Sequence, residues 1–152
     1  MAASFPMIKI VEQPIDCQQV LNSVYRDNCG ANLLFTGTTR QMTGDLETEF
    51  LVYECYNDMA IKEMTDLASQ AKSKWPIEGV AIVHRIGRVD IGQASIAIAV
   101  SGPHRGETFV AGEWLIDELK KKVPIWKQEN GVEGSKQWVH PGVDLSRNAG
   151  QE

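Results

Sequence analysis

Ser95-Ile-Ala-Ile-Ala-Val-Ser101, closed by Gly102-Pro103 and followed by a helical pattern from about Gly106 to Val123, decides how the chain folds. Ile96, Ile98 and Val100 recur every second residue, so they align on one face of a strand and bury at least that face. A similar apolar strand at Val80 to His84 precedes it. Before that, Ile61, Met64, Leu67 or Ala68, and Ala71 keep helical spacing from Met59 to about Lys74, with Asn57 or Asp58 as cap and Trp75-Pro76 as stop. Ala31 to Thr38 and Glu49 to Tyr56 read as two strands of a long hairpin around the glycine-containing loop Gln41 to Asp45. In Tyr53-Glu-Cys-Tyr56 the aromatics take core and cross-strand positions. Met7 to Val11 is β-prone, and Asp16 with Gln19 resembles a capping box for a helix through Arg26. Lys136 to Val139 reads as a short last strand. Strands and helices mix without a strict βαβ rhythm, which points to an α+β fold with a mainly antiparallel sheet.

The length of 152 residues fits one domain, residues 1–152, with flexibility expected in the first few residues and in the tail after about residue 140. A net charge of -5 argues against nucleic acid or an anionic membrane as partner, because both demand a cationic surface. No apolar run reaches the roughly 20 residues that span a bilayer, and the N-terminus lacks the cationic start of a signal peptide. Cys17, Cys29 and Cys55 form no CxxC pair and read as reduced and structural. A cytosolic protein without a metal or cofactor is the expectation.

Cations on separate segments carry the chemistry. In Asp117-Glu-Leu-Lys120-Lys-Lys-Val-Pro124-Ile-Trp-Lys127-Gln-Glu129 a helix delivers three lysines, stops at proline and delivers a fourth. Phe109, Gly112, Ile116, Leu119 and Val123 form an apolar stripe, and Lys120 falls roughly 60° from its centre, where a side chain can enter a pocket. Desolvated among cations, Lys120 and Lys127 could do acid-base or covalent work; Lys127 could equally snorkel past Trp126 to solvent. His104 and Arg105 stand between a buried strand and a helix start, suited either to an anion or to a surface ion pair. Phe35-Thr-Gly-Thr38-Thr39-Arg40 ends a strand with a guanidinium, which fits phosphate or carboxylate recognition or an ordinary loop arginine. Arg85 and Arg88 are explained equally well by pairing with Glu47, Glu49 or Glu54. No P-loop, GxGxxG, HExxH or GxSxG occurs, so the set of cations suits a small anionic substrate.

Phe35 to Arg40, Leu51-Val-Tyr-Glu-Cys-Tyr-Asn-Asp-Met-Ala60, His84-Arg-Ile-Gly87, His104-Arg105 and Leu119-Lys120 through Glu129 together resemble the large, catalytic subunit of molybdopterin synthase, over roughly Gly30 to Trp138. The resemblance implies an α/β-hammerhead fold with flanking helices. It also implies a sulfurtransferase that converts cyclic pyranopterin monophosphate to molybdopterin, the two sulfurs coming from the C-terminal thiocarboxylate of a ubiquitin-like small subunit. A homodimer of large subunits within a heterotetramer is implied as well. Carried onto this chain, Thr38, Thr39 and Arg40 border the substrate, and His104 and Arg105 hold the pterin phosphate. Lys120 acts at the sulfur-transfer centre, and Lys127, Gln128 and Glu129 line the same pocket. Two other functions stay open on the residues alone: a non-catalytic module binding a ubiquitin-like tail, and a lysine Schiff-base enzyme on a phosphorylated carbonyl compound.

Overall fold

A computed structural model describes residues 6–139, so the expectations for the first few residues and for the tail after about residue 140 lie outside the described residues. The elements run β1 (Met7–Val11), α1 (Cys17–Asn22), β2 (Ala31–Thr38), β3 (Met42–Thr43), β4 (Leu46–Cys55), α2 (Asn57–Lys74), β5 (Gly79–Arg85), β6 (Gly87–Asp90), β7 (Ala94–Gly102), α3 (Arg105–Lys122), β8 (Ile125–Gly131) and β9 (Lys136–Val139). Asp16 caps α1 as its sequence position suggests, accepting from the Gln19 N–H at 3.1 Å. The helix ends at Asn22 rather than running to Arg26. The Ser23 hydroxyl donates to Val20 O and the Arg26 guanidinium to Ser23 O, and these local bonds compete with a continuing helix. Tyr56, not Asn57 or Asp58, is the residue flanking α2, and Asp58 lies in its first turn, where a carboxylate favours the helix dipole.

Four strands form one sheet in the order β1-β5-β7-β2, with β1 parallel to β5 and the other pairs antiparallel. In the second sheet β4 pairs with β3, β6 and β8, and β9 pairs with β8, all antiparallel. The expected long hairpin of β2 with β4 is therefore not formed. β2 pairs with β7 from Ala31↔Gly102 to Thr38↔Ala94, while β4 turns into the other sheet. β6 and β8 carry no strand signal of their own: Gly87-Arg-Val-Asp90 is short and polar, and β8 lacks apolar alternation, because pairing with β4 rather than local preference makes both extended.

β7 is buried from Ser95 to Gly102, so both of its faces are covered. Its large residues Ile96, Ile98 and Val100 join Val80 and Ile82 of β5 against α2 and α3, whose Ala60, Met64, Leu67, Ala111, Leu115 and Leu119 close that side. Its small residues Ala97 and Ala99, with Ala81 and Val83, face α1 through Val20 and the following Val24. The alternation of large and small side chains thus allots a thick layer to two long helices and a thin one to a six-residue helix. Leu51 and Tyr53 of β4, Val89 of β6 and Ile125 of β8 belong to the same core as the α2 and α3 face, which joins the two sheets.

Close approach at the thin face depends on Gly79, where a Cβ would stand 2.7 Å from the Ser101 hydroxyl and 2.7 Å from the backbone oxygen of Val24. Neither neighbour is the end of a flexible side chain, and the Gly79 N–H already donates to Ser101 Oγ at 2.9 Å. Gly79→Ala is expected to lower the unfolding free energy by about 1–3 kcal/mol, the usual cost of overpacking. A urea midpoint equal to that of the parent would show that this segment can move aside.

Candidate active site

Helix α3 delivers the lysine run, with its buried face turned from the stripe its sequence suggests: Gly112, Leu119 and Val123 of that stripe are buried and Ile116 packs against the core, but Phe109 does not join them. Thr108, Ala111, Gly112, Leu115 and Leu119 are buried, whereas Phe109 is 61% exposed, because the helix lies down on β7 and β2 through its small residues. Lys120 consequently sits roughly 110–120° from the centre of the buried stripe and is exposed. What separates it from its neighbours is electrostatic. Glu118 pairs with Lys121 at 3.4 Å and with Lys122 at 3.1 Å, and the Lys122 hydrogen bond is the chief cause that holds its carboxyl below the usual range. Lys120 has no ion pair among the described residues.

Val123 ends the helix, and Pro124 leads directly into β8. There Lys127 lies opposite Tyr53 of β4, on the face that also carries Ile125 and Glu129, whereas the strand period turns Gln128 to the other side. Gln128 is occupied there, accepting from Asn130 Nδ2 at 3.1 Å. Lys127 does not snorkel to solvent: its side chain is 28% exposed and its ammonium stands 3.4 Å from Glu129. Behind this pair lies the Tyr53 ring, edge-on to His84 with centroids 5.0 Å apart. Burial pushes the Tyr53 phenol up; a hydrogen bond with Ser95 opposes the shift and the Glu129 carboxylate adds to it. Ser95 also donates to Gly37 O at 3.3 Å, so β4, against which the Lys127 strand pairs, is tied to the end of β2. Tyr56, by contrast, is 71% exposed at the start of α2, where β4 has already ended.

At that end of β2 a register shift between Gly37 and Thr38 breaks the ladder. Thr39 turns inward, 3% exposed, its hydroxyl directed at Val89 O and its backbone bonded to Gln93 and Gly92. Arg40 follows it, exposed and without an ion pair among the described residues. Thr38 is exposed and opens on a cleft beside Arg85. The expected partners of Arg85 and Arg88 are not observed: Arg85 donates to Gln93 at 2.9 Å, and Arg88 bonds Asp90 at 2.7 Å while lying over the Phe50 ring.

His104 and Arg105 sit elsewhere. Both are exposed where β7 passes into α3, at the Ala31 end of β2. Arg105 begins α3 and Lys120 lies in its last turn, roughly 22 Å apart along the axis at the helical rise. One chain therefore gathers Arg40, Lys120, Lys127 and Glu129 at one end of the sheet and holds His104 and Arg105 at the other. The expected single pocket is not formed within a chain, because α3 runs antiparallel to β7 and carries its two termini to opposite ends.

The profile of the MoaE protein family matches residues 10–122. The chain belongs to the MoaE family. A molybdopterin synthase catalytic subunit from Halalkalibacterium halodurans is 42% identical over 130 residues, 86% of this chain and 83% of that protein. One from Bacillus subtilis is 38% identical over 131 residues, again 86% and 83% of the two chains. A solved molybdopterin synthase structure from Staphylococcus aureus superposes with a TM-score of 0.83 at 36% identity, covering 90% of this chain and 98% of that one. The α+β architecture is thus that of the MoaE family, and the chain is an enzyme subunit of sulfur transfer in molybdenum cofactor biosynthesis. Neither the non-catalytic module nor the Schiff-base enzyme is favoured. Among the described residues no helix is long and apolar enough to cross a membrane.

His84, which the sequence leaves at the edge of a basic cluster, is buried against the Tyr53 ring and neutral. Burial lowers its pKa from 6.5 to about 4, against the bond between its Nδ1 and Arg85 O. The unfolded chain takes up the proton more readily, so the stability contributed is complete above pH 6.5 and is lost as pH falls towards 4. His84→Phe is expected to flatten the dependence of urea stability on pH within that window. An unchanged slope would assign the acid sensitivity to other groups.

Proposed function

We propose that this chain, acting as a single domain, converts cyclic pyranopterin monophosphate to molybdopterin with sulfur from the thiocarboxylate of a ubiquitin-like small subunit. The observation that carries this reading is the grouping of Arg40, Lys120 and the Lys127–Glu129 pair at one end of the sheet. A thiocarboxylate is an anionic nucleophile and the substrate carries a phosphate, so fixed cations can orient both and stabilise the oxyanion that develops during attack. Lys120, without a carboxylate partner, is the ammonium free to act at the sulfur-transfer centre and to protonate a leaving oxygen. Lys127 is held by Glu129 and fixes the substrate's position. Thr39 braces the turn that presents Arg40, Thr38 stands at its rim, and Gln128 supports β8 from the far face. The cytosol is the setting in which a protein with the free thiols Cys17, Cys29 and Cys55 would do this work.

The phosphate ligands His104 and Arg105 come, in this proposal, from a second copy of the chain. β2 is the edge of its sheet, and an edge strand pairs readily with its own copy across a two-fold axis. Antiparallel pairing of two β2 strands sets the Ala31 end of one chain beside the Thr38 end of the other, and with it His104 and Arg105 beside the partner's lysines. Exposed Phe35 on β2 and Phe109 and Val110 on α3 supply apolar surface along that side. The two large subunits would then leave their outer ends to the small subunits, giving a heterotetramer.

Lys120→Ala is expected to abolish conversion of precursor in a reconstituted assay with thiocarboxylated small subunit while partner binding persists; full activity would remove the central role of Lys120. Mixing Lys120→Ala with Arg105→Ala chains tests the shared site. Random exchange makes half the dimers mixed, each with one intact site, so about a quarter of parental activity should return. No recovery in a mixture shown to have exchanged subunits would confine each site to one chain.

A further inference from the structure

Among the described residues one buried side-chain nitrogen or oxygen lacks a hydrogen-bond partner, the Nε of Arg85. Buried donors are nearly always satisfied, so such an atom calls for an explanation. It lies beside a cleft of about 300 Å³ whose lining includes Ile15, Cys17, Thr36, Thr38, Arg85 and Gln93. Thr36 pairs with Ala97, and Arg85 lies two residues beyond Val83, so the cleft opens on the α1 face of the first sheet. The lysines of α3 belong to the opposite face.

The parts of this cleft are held in place. Ile86 N–H donates to Val11 O at 2.8 Å, which pins the end of β5 beside Arg85. The Gln93 backbone bonds both Asp90 and Thr39, and its side-chain oxygen accepts from Arg85 Nη1 at 2.9 Å and from Asp90 N–H at 3.4 Å. With that oxygen occupied, the Gln93 amide NH2 is left to donate. Arg85 Nε, the Gln93 NH2 and the Thr36 and Thr38 hydroxyls have no hydrogen bond to any described residue. Burial, then the neighbouring Asp16, push the Cys17 thiol up, so it stays uncharged; Asp16 itself accepts from the Gln19 N–H. One fixed positive charge, a buried Nε–H without a partner and three exposed donors open to the cleft suit a ligand that only accepts.

We propose that this cleft binds a small oxyanion, the phosphate or carboxylate group of a small molecule, at Arg85 with Thr36, Thr38 and Gln93. The site shares Thr38 with the rim of the sulfur-transfer centre but needs neither Lys120 nor the second copy's His104 and Arg105. NMR titration of the full-length protein with inorganic phosphate and with acetate, at ionic strength held constant with chloride, tests it. Saturable shifts of the Arg85 Nε–H and of the Thr36, Thr38 and Gln93 amides are expected, stronger for phosphate if the natural ligand is a phosphoryl group and for acetate if it is a carboxylate. Those shifts should persist in a His104→Ala, Arg105→Ala variant and weaken at least tenfold in Arg85→Gln. Thr38→Val, which leaves the guanidinium in place, should weaken them less. Absence of saturable shifts in the parent, shifts unchanged in Arg85→Gln, or a high-resolution crystal structure grown with phosphate that has only water on Nε would overturn the proposal. Persistence alongside loss of activity in the His104 and Arg105 variant would keep this site separate from the shared one.

Discussion

Burial of β7 on both faces is the constraint from which the rest of the architecture follows. A strand enclosed in this way must be paired along both edges, and β5 and β2 provide that pairing. It must also be covered on both sides, and the covering layers differ because Ile96, Ile98 and Val100 alternate with Ala97 and Ala99. The bulky side supports α2 and α3. On the alanine side α1 and the segment after it approach closely enough that Gly79 has no room for a side chain. Burial of this kind, at about 25 cal/mol for each Å² of apolar surface, is the dominant stabilising term in a chain without disulfides.

The same strand places the chemistry. Because α3 follows β7 through a tight turn and runs back along it, the residues at its start and at its end are separated by the length of the sheet. Cations at the two ends of one helix then serve a single small substrate only if two chains meet in opposite directions. The edge position of β2 allows such a meeting without disturbing any existing hydrogen bond. At the lysine end, Ser95 on β7 links the two sheets, meeting Tyr53 on one side and Gly37 on the other. The spacing between the Arg40 turn and the Lys127 strand is therefore held by a polar contact at the margin of an apolar core.

Much of this is legible in the order of the residues. The period of β7, the Asp16 cap, the Trp75-Pro76 stop and the end of α3 at Pro124 are local signals, set by side-chain alternation, capping and the missing proline N–H. β6 and β8 are not legible, since each is extended because β4 lies beside it. The exact orientation of α3 is not legible either: Phe109 is as apolar as Leu115, and only the fit of Gly112 and Ala111 against the sheet decides which of them is buried. At the site, Lys127 and Glu129 are visible as near neighbours in the chain, but their pairing and the outward turn of Gln128 require a strand that the sequence does not announce.

The sequence by itself determined the elements, the α+β class and the residue types that can meet an anion, because these depend on neighbours within a few positions along the chain. It also carried the resemblance to the large subunits of molybdopterin synthase, since ordered motifs survive without any knowledge of their spacing in three dimensions. Only the tertiary structure decided that β2 joins β7 rather than β4 and that His104 and Arg105 lie at the far end from the lysines. Each of these depends on which segments pack side by side, and that is settled by the enclosure of β7 rather than by any local preference.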